Sequence, residues 1–237
     1  MYDSRMSALI DLRKVTKVYE PAGGGRAEAP AVTALHSLSL SFSRGEFTAI
    51  AGPSGSGKST LLNIIGTLDS ATSGEVVYDG RKVSGLSEAE LADFRLRSLG
   101  FVFQAYNLIP VLTAVENVEY VLALQGLPKT ERRERAMAAL KAVGLTSQAG
   151  RRPDLLSGGQ QQRVAVARAI VHRPMVVLAD EPTANLDSKT AEHLLELMQG
   201  LNTEQGVTFL FSSHDPRVLA RAKRIVRIHD GRLAEDN

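Results

Sequence analysis

A lysine and two hydroxyl residues close a glycine-rich run, Gly52-Pro53-Ser54-Gly55-Ser56-Gly57-Lys58-Ser59-Thr60. Glycines at this spacing let backbone N–H groups turn inward with no Cβ in the way, which makes a cradle for phosphate oxygens. A helix opening near Lys58 adds the positive end of its dipole. The Lys58 ammonium then reaches the β- and γ-phosphates, and the Ser59 hydroxyl is placed to ligate Mg²⁺. The run predicts nucleotide binding and leaves kinase, GTPase and transport ATPase open. A second group lies at Val176-Val177-Leu178-Ala179-Asp180-Glu181, an apolar strand ending in two acids. Asp180 is placed to hold Mg²⁺ through water, and Glu181 to polarise a water for in-line attack on the γ-phosphate. A third, Leu156-Ser157-Gly158-Gly159-Gln160, is a serine-glycine turn ahead of a helix and reads as a further anion site.

The elements around these residues suit an α/β fold. Phe47-Thr48-Ala49-Ile50-Ala51 is a short apolar strand entering the glycine run, and Leu61 to Ile65 leaves it as a helix. Met175 to Ala179 and Thr208 to Phe211 are nearly continuous apolar runs, as expected of parallel strands covered on both faces. Val15 to Tyr19 and Leu38 to Phe42 read as strands flanking a loop-like stretch, Pro21 to Pro30. Ser87-Glu88-Ala89-Glu90 and Thr113-Ala114-Val115-Glu116 match capping boxes, and Lys129 to Val143 is a third helical stretch. The spacing of Ala191, Leu194, Leu195, Met198 and Leu201 predicts one apolar helix face after a cap at Asp187. The expected architecture is one domain over 1–237: a mostly parallel sheet with flanking helices and N-terminal antiparallel strands, residues 1–86 and 154–237, carrying a helical subdomain at 87–153.

Composition narrows the class. The 237 residues suffice for one substantial core, and 43% are hydrophobic. No apolar run is long enough to span a bilayer, and Met1 to Ser7 lacks the apolar stretch of a secretory signal. With no cysteine, disulfides and thiolate metal sites are excluded. A net charge of +2 and the absence of Trp give no reason to expect nucleic acid as partner.

Taken together, the motifs resemble those of the ATP-binding-cassette (ABC) ATPases, in family order and over nearly the whole chain. Gly52 to Thr60 is the family's phosphate loop, and Leu156 to Gln160 is identical to its signature. Gln104, in Phe101-Val102-Phe103-Gln104, looks like the Q-loop. Asn185-Leu186-Asp187 looks like the D-loop, and Ser212-Ser213-His214-Asp215 like the switch-histidine segment. Tyr19 is placed like the aromatic residue that stacks on adenine. The resemblance implies an ATPase using ATP and Mg²⁺. Two cassettes close head to tail, with Ser157, Gly158, Gly159, Gln160 and Asp187 acting on nucleotide at the shared interface. It further implies that His214 helps orient the attacking water and that Gln104 contacts Mg²⁺ or that water. Taken singly, Gln104, His214 and Tyr19 read equally as ordinary loop or strand residues.

In transporting members the region after Gln104 forms a groove for a short helix of an integral membrane permease. Leu108, Ile109, Leu112 and Val115, within Gln104 to Val118, would suit such a contact or pack the insert internally. The wording of this stretch, of Ala184 to Thr190 and of Ile228 to Leu233 is similar to the bacterial lipoprotein-release and macrolide-efflux branch. The expected setting is therefore the cytoplasmic face of the cell membrane, through a permease, with a homodimer of cassettes and no appended regulatory domain. A regulatory cassette signalling through a membrane partner, or a soluble ABC ATPase of DNA repair or translation, is the alternative. The 59–156 segment shows no sustained heptads and there is one phosphate loop, unlike repair and translation members respectively.

Overall fold

A computed structural model describes residues 8–20 and 30–237. The expected loop at Pro21–Pro30 falls outside the described residues except for Pro30, and so does the Met1–Ser7 start. Two long strands open the chain, β1 (Ala8–Tyr19) and β2 (Val32–Ser43), and pair antiparallel. Both run further than their sequence suggests, because β1 is bulged: its register shifts around Lys14, whose φ is +49°. A bulge moves side chains to the opposite face and hides the alternation that marks a strand.

β3 (Phe47–Ala51) leads through the glycine run into α1 (Lys58–Ile65). β4 (Ser73–Tyr78) pairs with β1, and the short β5 (Arg81–Lys82) completes a four-stranded sheet in the order β2-β1-β4-β5. Next come α2 (Glu88–Ser98), β6 (Leu99–Val102), α3 (Ala114–Leu124) and α4 (Lys129–Ala142). The capping boxes Ser87–Glu90 and Thr113–Glu116 form as their spacing predicts. α5 (Gly158–Ile170), β7 (Val176–Asp180), α6 (Ser188–Gln205), β8 (Phe209–Ser213), α7 (Pro216–Leu219), β9 (Arg224–His229) and β10 (Arg232–Asp236) follow. The second sheet has six strands, β10-β9-β3-β8-β7-β6, parallel except for β10. No helix among the described residues is long and apolar enough to cross a membrane.

One expectation needs correction. Leu99–Val102 lies inside the stretch read as helical, 87–153, yet β6 pairs in parallel with β7 as an edge of the six-stranded sheet. Four residues directly after a helix carry too little periodicity to be separated from it. Gly100 is there because the strand lies against α5: a Cβ would sit 2.3 Å from the Ala169 carbonyl oxygen.

The sheet is apolar on both faces, as the continuous runs imply. Val177, Ala179, Phe209 and Phe211 face α3, α5 and α6 in one buried cluster. Val176, Leu178 and Leu210 face α1 and the antiparallel sheet in another. Phe47 packs on Phe211 with ring centroids 4.9 Å apart and edge-on to Phe209 at 5.8 Å. Leu194, Leu195, Met198 and Leu201 form the buried face predicted for α6, and Asp187 caps that helix.

Candidate functional site

Parallel registry brings the carboxyl ends of β3, β7 and β8 to one edge, with Ala51 beside Ser213 and Asp180 beside Ser212. Crevices outside the carboxyl ends of parallel strands are where such sheets bind ligands. The glycine run leaves β3 there. Gly52 and Gly57 take φ of +155° and +103°, and a Cβ on them would lie 2.2 Å from the Ile228 carbonyl oxygen and 2.6 Å from that of Ala34. A side chain is therefore excluded at both positions, and the loop is held against β2 and β9. Gly231, in the turn joining β9 to β10, donates its N–H to the Ser56 carbonyl at 2.9 Å, a brace that the sequence reading missed. Ser54, Gly55 and Ser59 complete the turn and the first residues of α1, with Thr60 following. The Lys58 side chain is nearly buried and its ammonium donates to the carbonyls of Gly52 (2.9 Å) and Pro53 (3.0 Å). The Ser56 hydroxyl is buried without a protein partner, a polar atom left over inside the loop.

Asp180 ends β7. Its Oδ1 accepts from the Ser212 hydroxyl at 2.6 Å and from the Ser59 hydroxyl at 3.1 Å, tying β7 to β8 and to α1. A serine hydroxyl beside a carboxylate is a hard oxygen donor set, which fits Mg²⁺ with substrate phosphate and water as remaining ligands. Glu181 has φ of +45°, a costly backbone for a residue with a Cβ. Its N–H donates to Ser212 Oγ at 2.9 Å, and its carboxylate meets His214 Nδ1 at 2.8 Å. The Glu181 side chain is largely covered and the His214 ring largely exposed. Asp180, Glu181 and His214 are thus gathered at one edge beside Ser59.

Gln104 lies just past β6, exposed, and its carbonyl accepts from Asn185 Nδ2 at 3.0 Å. Tyr19 ends β1. Its hydroxyl donates to Asp69 Oδ2 at 2.8 Å, and the Lys17 ammonium sits 4.7 Å from its ring centroid. Burial raises the phenol pKa above its ordinary value, with Thr60 opposing and Asp69 adding.

The third segment sits elsewhere in the chain. Ser157 caps α5, accepting from the Gln160 N–H at 3.3 Å while Gln160 Oε1 accepts from the Ser157 N–H at 3.0 Å. This is a capping box, legible as Ser-x-x-Gln but not read as one. A Cβ on Gly158 would lie 2.8 Å from the Tyr106 hydroxyl, and one on Gly159 only 2.3 Å from Thr190 Cγ2. A side chain at either position would have Tyr106 or Thr190 move aside. The atoms nearest to those two Cβ positions belong to Tyr106, Leu186 and Thr190, none of them in the glycine run. The Asp187 carboxylate accepts from the N–H groups of Lys189 and Thr190, both at 3.1 Å, and from the Thr190 hydroxyl at 2.6 Å. These bonds, the Thr190 hydroxyl's first, hold its pKa below the ordinary carboxylate value.

Of the four apolar residues after Gln104, Leu108 and Val115 are committed inward, while Ile109 and Leu112 are half-buried. Val115 is buried in the core, and Leu108 packs against the same cluster. A cleft of about 370 Å³ lies beside them instead, lined among others by Leu68, Leu96, Phe101, Phe103, Asn107 and Val121.

The sequence matches the family described as ABC transporter over residues 35–184. The chain belongs to this family. It is an ABC ATPase cassette, 45% identical over 234 residues to the lipoprotein-releasing system ATP-binding protein LolD of Bordetella avium, covering 98% of this chain and 99% of that one. It is 49% identical over 228 residues to the pyoverdine export ATP-binding/permease protein PvdT of Pseudomonas fluorescens. That match takes in 96% of this chain but 34% of PvdT, so the cassette spans about a third of that relative's length. Among solved structures, the dimeric post-hydrolysis state of the ATP-binding cassette MJ0796 bound to ADP and Pi superposes with a TM-score of 0.86 at 44% identity. The superposition covers 96% of this chain and 97% of MJ0796.

Proposed function

We propose that this cassette is the ATP-hydrolysing subunit of a membrane transporter, closing head to tail with a second copy on two Mg-ATP molecules. The observation that carries the chemistry is the gathering of Ser59, Asp180, Glu181 and His214 at the carboxyl edge of the sheet. The glycine run from Gly52 to Gly57 cradles the phosphates, Lys58 exchanges its two carbonyl partners for β- and γ-oxygens, and Ser59 and Thr60 follow at the helix N-terminus. Ser59 and Asp180, with Gln104 near them, would hold Mg²⁺, which would supply positive charge to the phosphate oxygens. Glu181 takes the proton of the attacking water. His214 steadies the Glu181 carboxylate through Nδ1, and as an imidazolium also offers an Nε2–H to the γ-phosphate. Tyr19 presents to adenine the ring face away from Lys17.

Ser157, Gly158, Gly159, Gln160 and Asp187 act on the nucleotide of the opposing copy. The support is threefold: the space around Gly158 and Gly159 is lined by Tyr106, Leu186 and Thr190 rather than by the glycine run, the Ser157 hydroxyl still has its proton to donate, and MJ0796 is dimeric. The chain works as one domain, a nucleotide-binding core of 1–86 and 154–237 with the helices of 87–153 added and Leu99–Val102 returned to the core sheet.

The permease docks a short helix in the cleft lined by Phe101, Phe103, Asn107 and Val121, at the margin of the Gln104–Val118 stretch. This keeps the cassette at the cytoplasmic face of the membrane as a peripheral subunit. The similarity to LolD and PvdT favours lipoprotein release or export as the work done. Glu181→Gln tests the reading: it should cut turnover to a small residual rate, keep ATP binding and trap a dimer, measured by light scattering on a sizing column. A strictly monomeric variant at saturating Mg-ATP overturns the shared site.

A further inference from the structure

Gln162 is a fully buried polar residue in the middle of α5, and the motifs give it no task. Its side-chain Nε2 donates to the Pro182 carbonyl at 2.6 Å and, more weakly, to the Phe103 carbonyl at 3.4 Å. Pro182 directly follows Glu181, and Phe103 directly precedes Gln104. One amide therefore bridges the Pro182–Thr183 peptide, one residue past the acid, to the Phe103–Gln104 peptide. Its Oε1 is buried with no partner. Turning the amide over would set that oxygen against the Pro182 carbonyl, acceptor on acceptor, so the orientation is fixed.

Methionine would fill the same space and offer no donor. The surroundings give that donor a task. Glu181 is held in a backbone conformation it would not adopt freely, at φ of +45°, with its N–H fixed from one side by Ser212. Gln162 fixes the chain one residue further on, at the Pro182 carbonyl. The loop before α3 is pinned by the same helix: Arg168 donates to the carbonyls of Tyr106 at 2.9 Å and Asn107 at 2.6 Å, where φ is again positive. Asn185, four residues past Glu181, holds the Gln104 carbonyl.

We infer that Gln162 is a positioning residue, which sets the register of Glu181 against Gln104 and links both to the helix whose first turn is Ser157 to Gln160. A shift of α5 along its axis then moves the acid and the glutamine together. The inference rests on Glu181 acting as the base.

The test compares Gln162→Met, which removes the donor and fills the space, with Gln162→Glu, which keeps the shape and replaces the donor by an acceptor. Each is measured for Mg-ATP affinity, kcat and melting temperature, alone and in the Glu181→Gln background by single-turnover hydrolysis. Nucleotide affinity should stay within about twofold while kcat falls at least about tenfold, and in the Glu181→Gln background neither substitution should slow the residual rate further. Unchanged kcat in a folded variant, or equal losses with and without the Glu181 carboxylate, overturns the inference. A purely structural role would lower the melting temperature and leave kcat per folded molecule intact. Should Glu181→Gln alone turn over at the parent rate, the reading of Glu181 as base fails instead, and the two failures are told apart.

Discussion

Lys58→Ala removes the one ammonium inside the glycine run. Charge-assisted bonds to phosphate are worth about 1.5–3 kcal/mol each, so ATP affinity should fall roughly tenfold or more. A fluorescent-nucleotide titration reads this directly, and an unchanged Kd would strip Lys58 of its role. Ser157→Arg should leave nucleotide binding by a single copy intact and abolish turnover, because the proposed site uses this serine on the opposing molecule's nucleotide; lost affinity in dilute monomer would mean it acts within its own chain. At this scale the sequence was most legible where chemistry demands particular side chains close together in one stretch. The glycine run and Asp180-Glu181 are such cases; His214 was assigned only through the family resemblance. It was silent about Gln162, Arg168 and Gly231, because each bonds to a backbone carbonyl. Every residue has a carbonyl, so such a partner leaves no mark in the residue types.

At the scale of elements, Thr113→Ala loses the cap of α3 and should cost about 0.5–2 kcal/mol in urea unfolding. Phe209→Ala opens a hole beside Phe47 and should cost about 3–5 kcal/mol by the same measurement; a loss below about 1 kcal/mol would mean the strand repacks around the gap. The long apolar strands, the capping boxes and the buried face of α6 could be read in advance because their periodicities are uninterrupted. β6 could not, being four residues set directly after a helix. The early part of β1 could not either, since a bulge at Lys14 breaks its alternation. Ser157-Gly158-Gly159-Gln160 shows the opposite failure: the chemical meaning of the motif hid its plain role as a capping box.

At the scale of the whole molecule, the proposed function requires two half-sites to meet before hydrolysis. Specific activity should therefore rise with protein concentration and level off once the pair forms; a flat dependence down to high dilution would contradict it. The helices between β6 and β7 bear on this. They share one apolar interior with the sheet: Val102, Val118, Val164 and Phe211 belong to a single cluster. No polar seam divides this cluster into two separately cored bodies. Heating should therefore melt helices and sheet in one calorimetric peak, with van't Hoff and calorimetric enthalpies in agreement, rather than two resolved steps.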